Sequence, residues 1–313
     1  MTQTDYRDSS FDSISSQSAQ RFDVACSDNV TIAAYELRDC PATAPALLWA
    51  HANGFSAGSY LPFLQLLSTR FRVFAYDVRG HGGSTAPVTA DRASLNFDCF
   101  ADDLRAVSEW LSARLSHAPL YFSGHSFSAA TMFHLAGEFG YAPWQAVTTF
   151  DATMLPHDDS DIRVRAEQAS VTRIERTLGR RVSWATITEC AVTLGRPGVF
   201  DGWTSEMLQA HCHATLRPLR SGGVGLACQP EIEAGVYAGV MDTRPYECLP
   251  SFPVPAHLVG ADPNCGGTWV GEIQPAAAAR IAQSQYTCAA GASHLMVFEQ
   301  PRWCAELVCS MLN

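Results

Sequence analysis

The sequence predicts an α/β chain whose mostly parallel sheet is covered by helices on both faces. Three observations carry that prediction. Short, nearly continuous apolar runs recur, as expected of strands buried on both sides. Stretches with apolar residues at three- and four-residue steps lie between them. The joints are short, and strands alternating with helices through short joints build parallel sheets.

Each element follows in order. Residues 21–37 read as two strands turning at Asp28-Asn29, a favourable turn pair between alternating residues. Residues 46–52 (ALLWAHA) form the first buried run. Apolar residues at helical spacing occupy 60–69, and 72–78 (RVFAYDV) is a second buried strand. The clearest helix is 96–115, where Phe97, Phe100, Leu104, Val107, Leu111 and Leu115 share one face. A third strand over 120–123 leads into a small-residue helix over 127–138, and 146–151 (AVTTFD) is a fourth strand. The rhythm resumes at 254–260, 275–282, 286–289 and 302–311.

Between them, residues 152–252 interrupt the pattern. That interval opens with Arg163, Arg165, Arg173, Arg176, Arg180 and Arg181, then carries helix-like pieces over 184–194 and 204–216. So long an interruption reads as a helical cap, a lid with its own helices, rather than a loop. The expected division is a core from 21–151 and 253–313, the cap from 152–252, and a flexible extension over 1–20. The extension is polar and serine-rich, without the basic start and apolar middle of a secretory signal, so a cytoplasmic protein is expected.

Composition removes other classes. Hydrophobic residues make up 47% of the 313 and charged residues 17%, which suits a folded core rather than a disordered chain. The net charge of -10 supplies no basic stripe for a phosphate backbone, so nucleic acid is not an expected partner. No apolar stretch is long enough to span a membrane. The 11 cysteines are odd in number, irregularly spaced and without a CxxC, which predicts free thiols, several of them buried (Cys99, Cys288, Cys304 and Cys309 lie in apolar runs). His211-Cys212-His213 resembles a fragment of a metal site but has no second ligand cluster at suitable spacing, and no glycine loop is built to cradle phosphates. No metal or cofactor is expected.

One motif carries chemistry. Gly124-His125-Ser126-Phe127-Ser128 lies where the third strand turns into a helix. A hydroxyl becomes a good nucleophile only when exposed, oriented and deprotonated as it attacks, and a sharp strand-to-helix turn with small flanking residues provides the exposure. Gly124 supplies one small residue; the other position, usually Gly, holds Ser128, which crowds the turn.

From these residues the chain resembles the α/β-hydrolase family, over nearly everything from residue 21 onward. His51-Ala52-Asn53-Gly54-Phe55 is similar to the family's oxyanion loop, and Asp77-Val78-Arg79-Gly80-His81-Gly82-Gly83-Ser84 to its D-x-R-G-x-G-x-S turn. Gly291-Ala292-Ser293-His294, ahead of Pro301, resembles its histidine loop. The nearest likeness is to a bacterial branch beginning HANGF, with a GGV-like cap segment (Gly222-Gly223-Val224) before Pro230-Glu231.

The resemblance implies a serine hydrolase. Ser126 is then the nucleophile, His294 its general base, and the backbone N–H groups of Phe127 and Asn53, or else Gly54, the oxyanion donors. His51, His81 and Arg79 are expected to brace their loops. For the acid, Asp262 in Gly260-Ala261-Asp262-Pro263 is preferred slightly, because it follows the strand where the family usually carries it; Asp151, at the end of the strand after the nucleophile helix, is the alternative. Trp184, Phe200, Trp203 and Tyr237 are candidates to line an acyl pocket or to hold the lid on the core, and the arginines from 163 to 181 raise the idea of carboxylate binding.

The expected reaction is cleavage of a carboxylic ester or related acyl compound through an acyl-serine intermediate, with a small acyl molecule as substrate. The same three residues also suit cleavage of a C–C bond, lactone or thioester, or acyl transfer, since fold does not fix function. A small-molecule-sensing receptor with slow turnover is the reading from another class. Epoxide hydrolase or dehalogenase chemistry is disfavoured, since such relatives carry Asp where this chain has Ser126.

Overall fold

The computed structural model describes residues 5–7, 11–41, 43–115, 118–157, 161–198, 200–265 and 269–311. Two antiparallel strands, β1 (Ala19–Ala25) and β2 (Thr31–Leu37), meet at a turn in which Asp28 and Asn29 take positive φ. Then follow β3 (Ala46–Ala50), α1 (Leu61–Leu67), β4 (Arg72–Tyr76), α2 (Phe97–Arg114), β5 (Leu120–His125), α3 (Phe127–Phe139) and β6 (Val147–Phe150). An insertion supplies α4 (Asp161–Leu178), β7 (Ser183–Trp184), α5 (Ile187–Leu194), α6 (Ser205–Thr215), β8 (Leu216–Pro218), β9 (Val224–Leu226), α7 (Pro230–Gly239) and α8 (Arg244–Glu247). The chain closes with β10 (Ala256–Ala261), α9 (Trp269–Ala279), β11 (Ser284–Ala289), α10 (Met296–Glu299) and α11 (Pro301–Ser310).

The main sheet has eight strands in the order β1-β2-β4-β3-β5-β6-β10-β11. The pairs β1·β2 and β2·β4 are antiparallel and the rest parallel, as the fold class requires. Its central strands are largely apolar because helices cover both faces. Leu48, Phe74 and Phe122 meet α2 and α3 on one face, while Trp49, Val73 and Phe150 meet α1 and α11 on the other. Asn96 caps α2 by accepting from Cys99 N–H at 3.1 Å, and the buried stripe Phe97, Phe100, Leu104, Val107 and Leu111 holds it down. Each such side chain contributes about 1.5–3 kcal/mol on burial.

Four expectations need correction. The stretch over 1–20 is not loose where it is described: Tyr6 and Ile14 are buried, and Ser13 Oγ donates to Asp77 at 3.0 Å while Ser13 N–H donates to Tyr35 OH at 3.1 Å. Composition missed this because a few apolar and hydroxyl groups suffice to dock a polar segment; residues 1–4 and 8–10 lie outside the described residues. Next, α9 begins at Trp269 and carries Pro275 inside it, since burial of Trp269, Val270 and Ile273 outweighs the lost helical hydrogen bond. The insertion is not purely helical: β7, β9 and β8 form a small antiparallel sheet whose strands are too short to show alternation. Finally, among the cysteines expected to be buried, Cys288 is exposed on the edge strand β11, Cys99 and Cys309 are half-buried, and Cys304 is buried; all 11 thiols are free.

Among the described residues, no helix is long and apolar enough to cross a membrane.

Candidate active site

Ser126 stands between β5 and α3 with φ 61° and ψ −127°. A non-glycine residue there costs on the order of 1–3 kcal/mol, so the surroundings must impose it. Ser126 N–H donates to Phe150 C=O at 2.9 Å, and its C=O accepts from Ala130 and Thr153 N–H at 3.2 Å each. Gly124 is required: a Cβ there would lie 2.9 Å from the Phe122 ring. Ser128 does not merely crowd the turn. Its hydroxyl donates to His51 C=O at 2.6 Å, tying the first turn of α3 to the loop after β3.

His294 arrives from the far end of the chain, in the loop after β11. Its Nε2 stands 3.1 Å from Ser126 Oγ. Its Nδ1 stands 2.5 Å from a carboxylate, and that carboxylate is Asp151, not Asp262. The preference for Asp262 is therefore corrected. Asp262 Oδ2 accepts from Gly291 N–H at 2.9 Å and Oδ1 from Asn264 N–H at 2.9 Å, bonds that hold its pKa below the ordinary carboxylate value. Among the described residues it makes no hydrogen bond to His294; it braces the loop that carries His294. Asp151 is fully buried, and its Oδ1 accepts from Ala261 N–H at 3.0 Å, which aims Oδ2 at the imidazole. Parallel pairing of β6 with β10 makes that bond possible.

Sequence reasoning missed three neighbours. Thr153 Oγ1 lies 3.0 Å from Ser126 Oγ. His125 and Tyr60, both fully buried, lie behind His294: Tyr60 OH is 2.7 Å from His125 Nδ1, and His125 Nε2 is 2.8 Å from His294 C=O. Nothing in local spacing marks Thr153 or Tyr60. The position of His125 inside the Ser126 turn was the one available signal.

The loop after β3 is fixed by buried polar groups. Asp77 accepts from Ala57 N–H at 2.7 Å, Gly83 N–H at 2.8 Å, Tyr35 OH and Ser13 OH, yet burial still pushes its pKa up. His51 Nδ1–H donates to Ala52 C=O at 2.8 Å, and its Nε2 accepts from Val78 N–H at 2.9 Å; burial, with His81 nearby, lowers its pKa to about 3. His81 donates from Nδ1 to Arg79 C=O at 3.1 Å, which leaves Nε2 to accept from Gly54 N–H at 3.1 Å; burial lowers it to about 4. Arg79 makes a two-pronged bond to Asp103 at 2.7 and 2.8 Å. Gly54 N–H is thus occupied, whereas among the described residues the N–H groups of Asn53 and Phe127 donate to nothing.

The insertion meets this loop through α6 and α7. Asn53 Nδ2 donates to Glu233 C=O at 3.0 Å. The Glu233 carboxyl, raised in pKa by burial against the opposing pull of Arg180 at 2.5 Å, fills the space beside Gly54, where a Cβ would lie 2.8 Å from Glu233 Cδ. Trp203 stacks on Phe298 (4.0 Å between centroids, 9° between planes) and Phe200 meets Trp203 edge-on, so these two pin the insertion to Phe55 and the His294 side. Trp184 instead packs inside the insertion with Cys190, Cys212 and Leu216, away from Ser126. Tyr237 lies under Arg173, 6.0 Å from ring centroid to guanidinium. Arg163, Arg165, Arg180 and Arg181 each pair with a glutamate. His211 Nδ1 contacts Ser59 Oγ at 3.1 Å and Cys212 faces Cys190; among the described residues no three His, Cys, Asp or Glu converge as a metal site.

Comparison with known proteins identifies the family and the fold. The profile described as the Alpha/beta hydrolase family matches residues 47–307. No curated protein matches. Among solved structures, an E-2-(acetamidomethylene)succinate hydrolase superposes with a TM-score of 0.73 at 16% identity, covering 94% of this chain and 99% of that one. A thioesterase domain from the curacin biosynthetic pathway gives 0.70 at 18% identity (93% and 99% covered). A malate-bound esterase from Thermogutta terrifontis gives 0.64 at 18% (94% and 98%). Likenesses at such identities speak to the fold.

Proposed function

Because the chain belongs to the alpha/beta hydrolase family, we propose that it cleaves a carboxylic ester or related acyl compound through an acyl-Ser126 intermediate. The observation that carries this is the line Ser126 Oγ, His294 Nε2, His294 Nδ1, Asp151 Oδ2, with steps of 3.1 and 2.5 Å. As Ser126 Oγ attacks the substrate carbonyl carbon, its proton passes to His294 Nε2. The Asp151 carboxylate holds the imidazole in the tautomer that can receive that proton and then balances the imidazolium. The carbonyl oxygen, now an oxyanion, is received by the N–H groups of Phe127 and Asn53; the engagement of Gly54 N–H by His81 favours Asn53 as the second donor. The proton on His294 leaves with the alcohol. Water then repeats the sequence on the acyl-enzyme, releasing the acid and restoring Ser126. Thr153 Oγ1, beside Ser126 Oγ, orients the attacking oxygen. In this reading the insertion is a cap, with Phe200 and Trp203 anchoring it and α7 resting on the oxyanion loop.

A fluorophosphonate probe tests the proposal. One adduct per chain, located at Ser126 by mass spectrometry and lost in Ser126→Ala, is expected; folded protein that forms no adduct would overturn it. A panel of short p-nitrophenyl esters, thioesters and lactones then places the acyl preference.

A further inference from the structure

The residue inside the nucleophile turn is not used by the reaction above, yet its partners are fully specified. A backbone carbonyl only accepts, so the 2.8 Å contact to His294 C=O requires a proton on His125 Nε2. Neutral His125 therefore has a bare Nδ1, which accepts from Tyr60 OH at 2.7 Å. Tyr60 oxygen in turn accepts from Ala52 N–H at 3.2 Å. Each donor has one acceptor, and the direction of the whole chain is determined: Ala52 N–H to Tyr60, Tyr60 O–H to His125, His125 N–H to His294 C=O. It joins the loop that carries Asn53 to the loop that carries His294, through a ring whose centroid is 5.0 Å from that of His294.

We propose that His125, oriented by Tyr60, is a positioning residue that sets where the His294 imidazole stands between Ser126 and Asp151. Among the described residues, the titratable groups facing His125 are Tyr60, His51 and His294, with no carboxylate among them. Burial holds His125 neutral, with its pKa well below the ordinary histidine value. A neutral donor fits this position because it grips the His294 carbonyl without placing a second positive ring against the imidazolium formed in the reaction. A lysine or arginine there would oppose that charge, and an apolar residue would leave the carbonyl free to shift. Displacing a reacting group by about 1 Å can cost on the order of 10²-fold in rate.

The inference rests on the acyl-Ser126 reading, so its test contains measurements that separate the two. In Tyr60→Phe and His125→Leu, kcat for p-nitrophenyl acetate per fluorophosphonate-titrated site should fall about tenfold to a hundredfold while KM stays within about twofold. His125→Gln, which keeps an N–H for the His294 carbonyl, should recover most of the loss. Adding Tyr60→Phe to His125→Leu should cost little more, because the two act as one unit. Unchanged kcat per titrated site in Tyr60→Phe and His125→Leu overturns the proposal; so does a loss that only follows the fraction of sites titrated, which would mark a folding role. One readout needs no turnover: the downfield NMR resonance of the proton between His294 and Asp151 should broaden or shift in His125→Leu and persist in His125→Gln. If wild type forms no adduct, the acyl-serine reading fails by itself, and that resonance still decides for or against His125 as the residue that places His294.

Discussion

Around Ser126, several polar side chains are buried and held by more than one hydrogen bond. Asp77 takes four donors, Arg79 grips Asp103 with two prongs, and His51, His81 and His125 each bond through both ring nitrogens. In the outer part of the insertion, Arg163, Arg165 and Arg181 pair with glutamates in contact with water. A buried polar group left without its partner costs about 1–3 kcal/mol, whereas an exposed ion pair is worth about 0–1 kcal/mol. The first region can therefore keep a reactive geometry against thermal motion, and the second can shift at small cost. Helix α6 belongs with the first: Ser56 Oγ donates to Ala214 C=O at 3.1 Å, and Trp203, just ahead of it, stacks on Phe298. Stiffness follows buried bonding and does not stop at the insertion's boundary.

The largest effect expected from this contrast is at the acid. Asp151→Asn should lower kcat on p-nitrophenyl acetate by about 10⁴-fold, since a carboxamide leaves His294 in the wrong tautomer. Asp262→Asn should cost less than about tenfold, because it supports Gly291 from outside. Equal losses in steady-state assays would break the distinction between a buried aligned carboxylate and a surface brace.

Acid should weaken the buried region next. His51 and His211 have pKa values lowered by burial to about 3, and His81 to about 4. The sign follows from which state binds protons. Below about pH 6.5 the unfolded chain takes up protons that these folded histidines refuse, so stability falls with falling pH and stops falling once the folded values are passed. The loss is at most about 1.4 kcal/mol per pH unit for each histidine. Urea midpoints between pH 7 and pH 5 should drop accordingly; a flat profile would show these rings to be hydrated.

The smallest effect should come from the outer insertion. Arg165→Ala removes a half-exposed pair with Glu272 and should change the unfolding free energy by less than about 1 kcal/mol. A loss several times larger, measured by urea denaturation, would move α4 into the stiff region.

Much of this molecule was readable from residue order. Alternation and helical stripes placed the main strands and helices because they were long enough to show a period; β7, β8 and β9 were not, and the small sheet they form went unseen. The site was legible where chemistry sits in a local motif. Ser126 and His294 stand together in space, and Gly54 N–H turns to His81. Thr153 and Tyr60 carried no local mark, and polar composition concealed the docking of Ser13 and Ile14.

The sequence by itself determined the fold class, the sharp turn at Ser126 and the order in which the reactive groups occur, because backbone sterics and hydrophobic periodicity act over a few residues. Only the tertiary structure decided which carboxylate meets His294. Asp151 and Asp262 both follow a strand and look equivalent along the chain. Parallel register between β6 and β10 brings Ala261 N–H onto Asp151 and turns its other oxygen to the imidazole, while Asp262, one residue further on, is turned to Gly291. A hydrogen bond is decided by tenths of an ångström between atoms more than a hundred residues apart, and no local rule reaches that far.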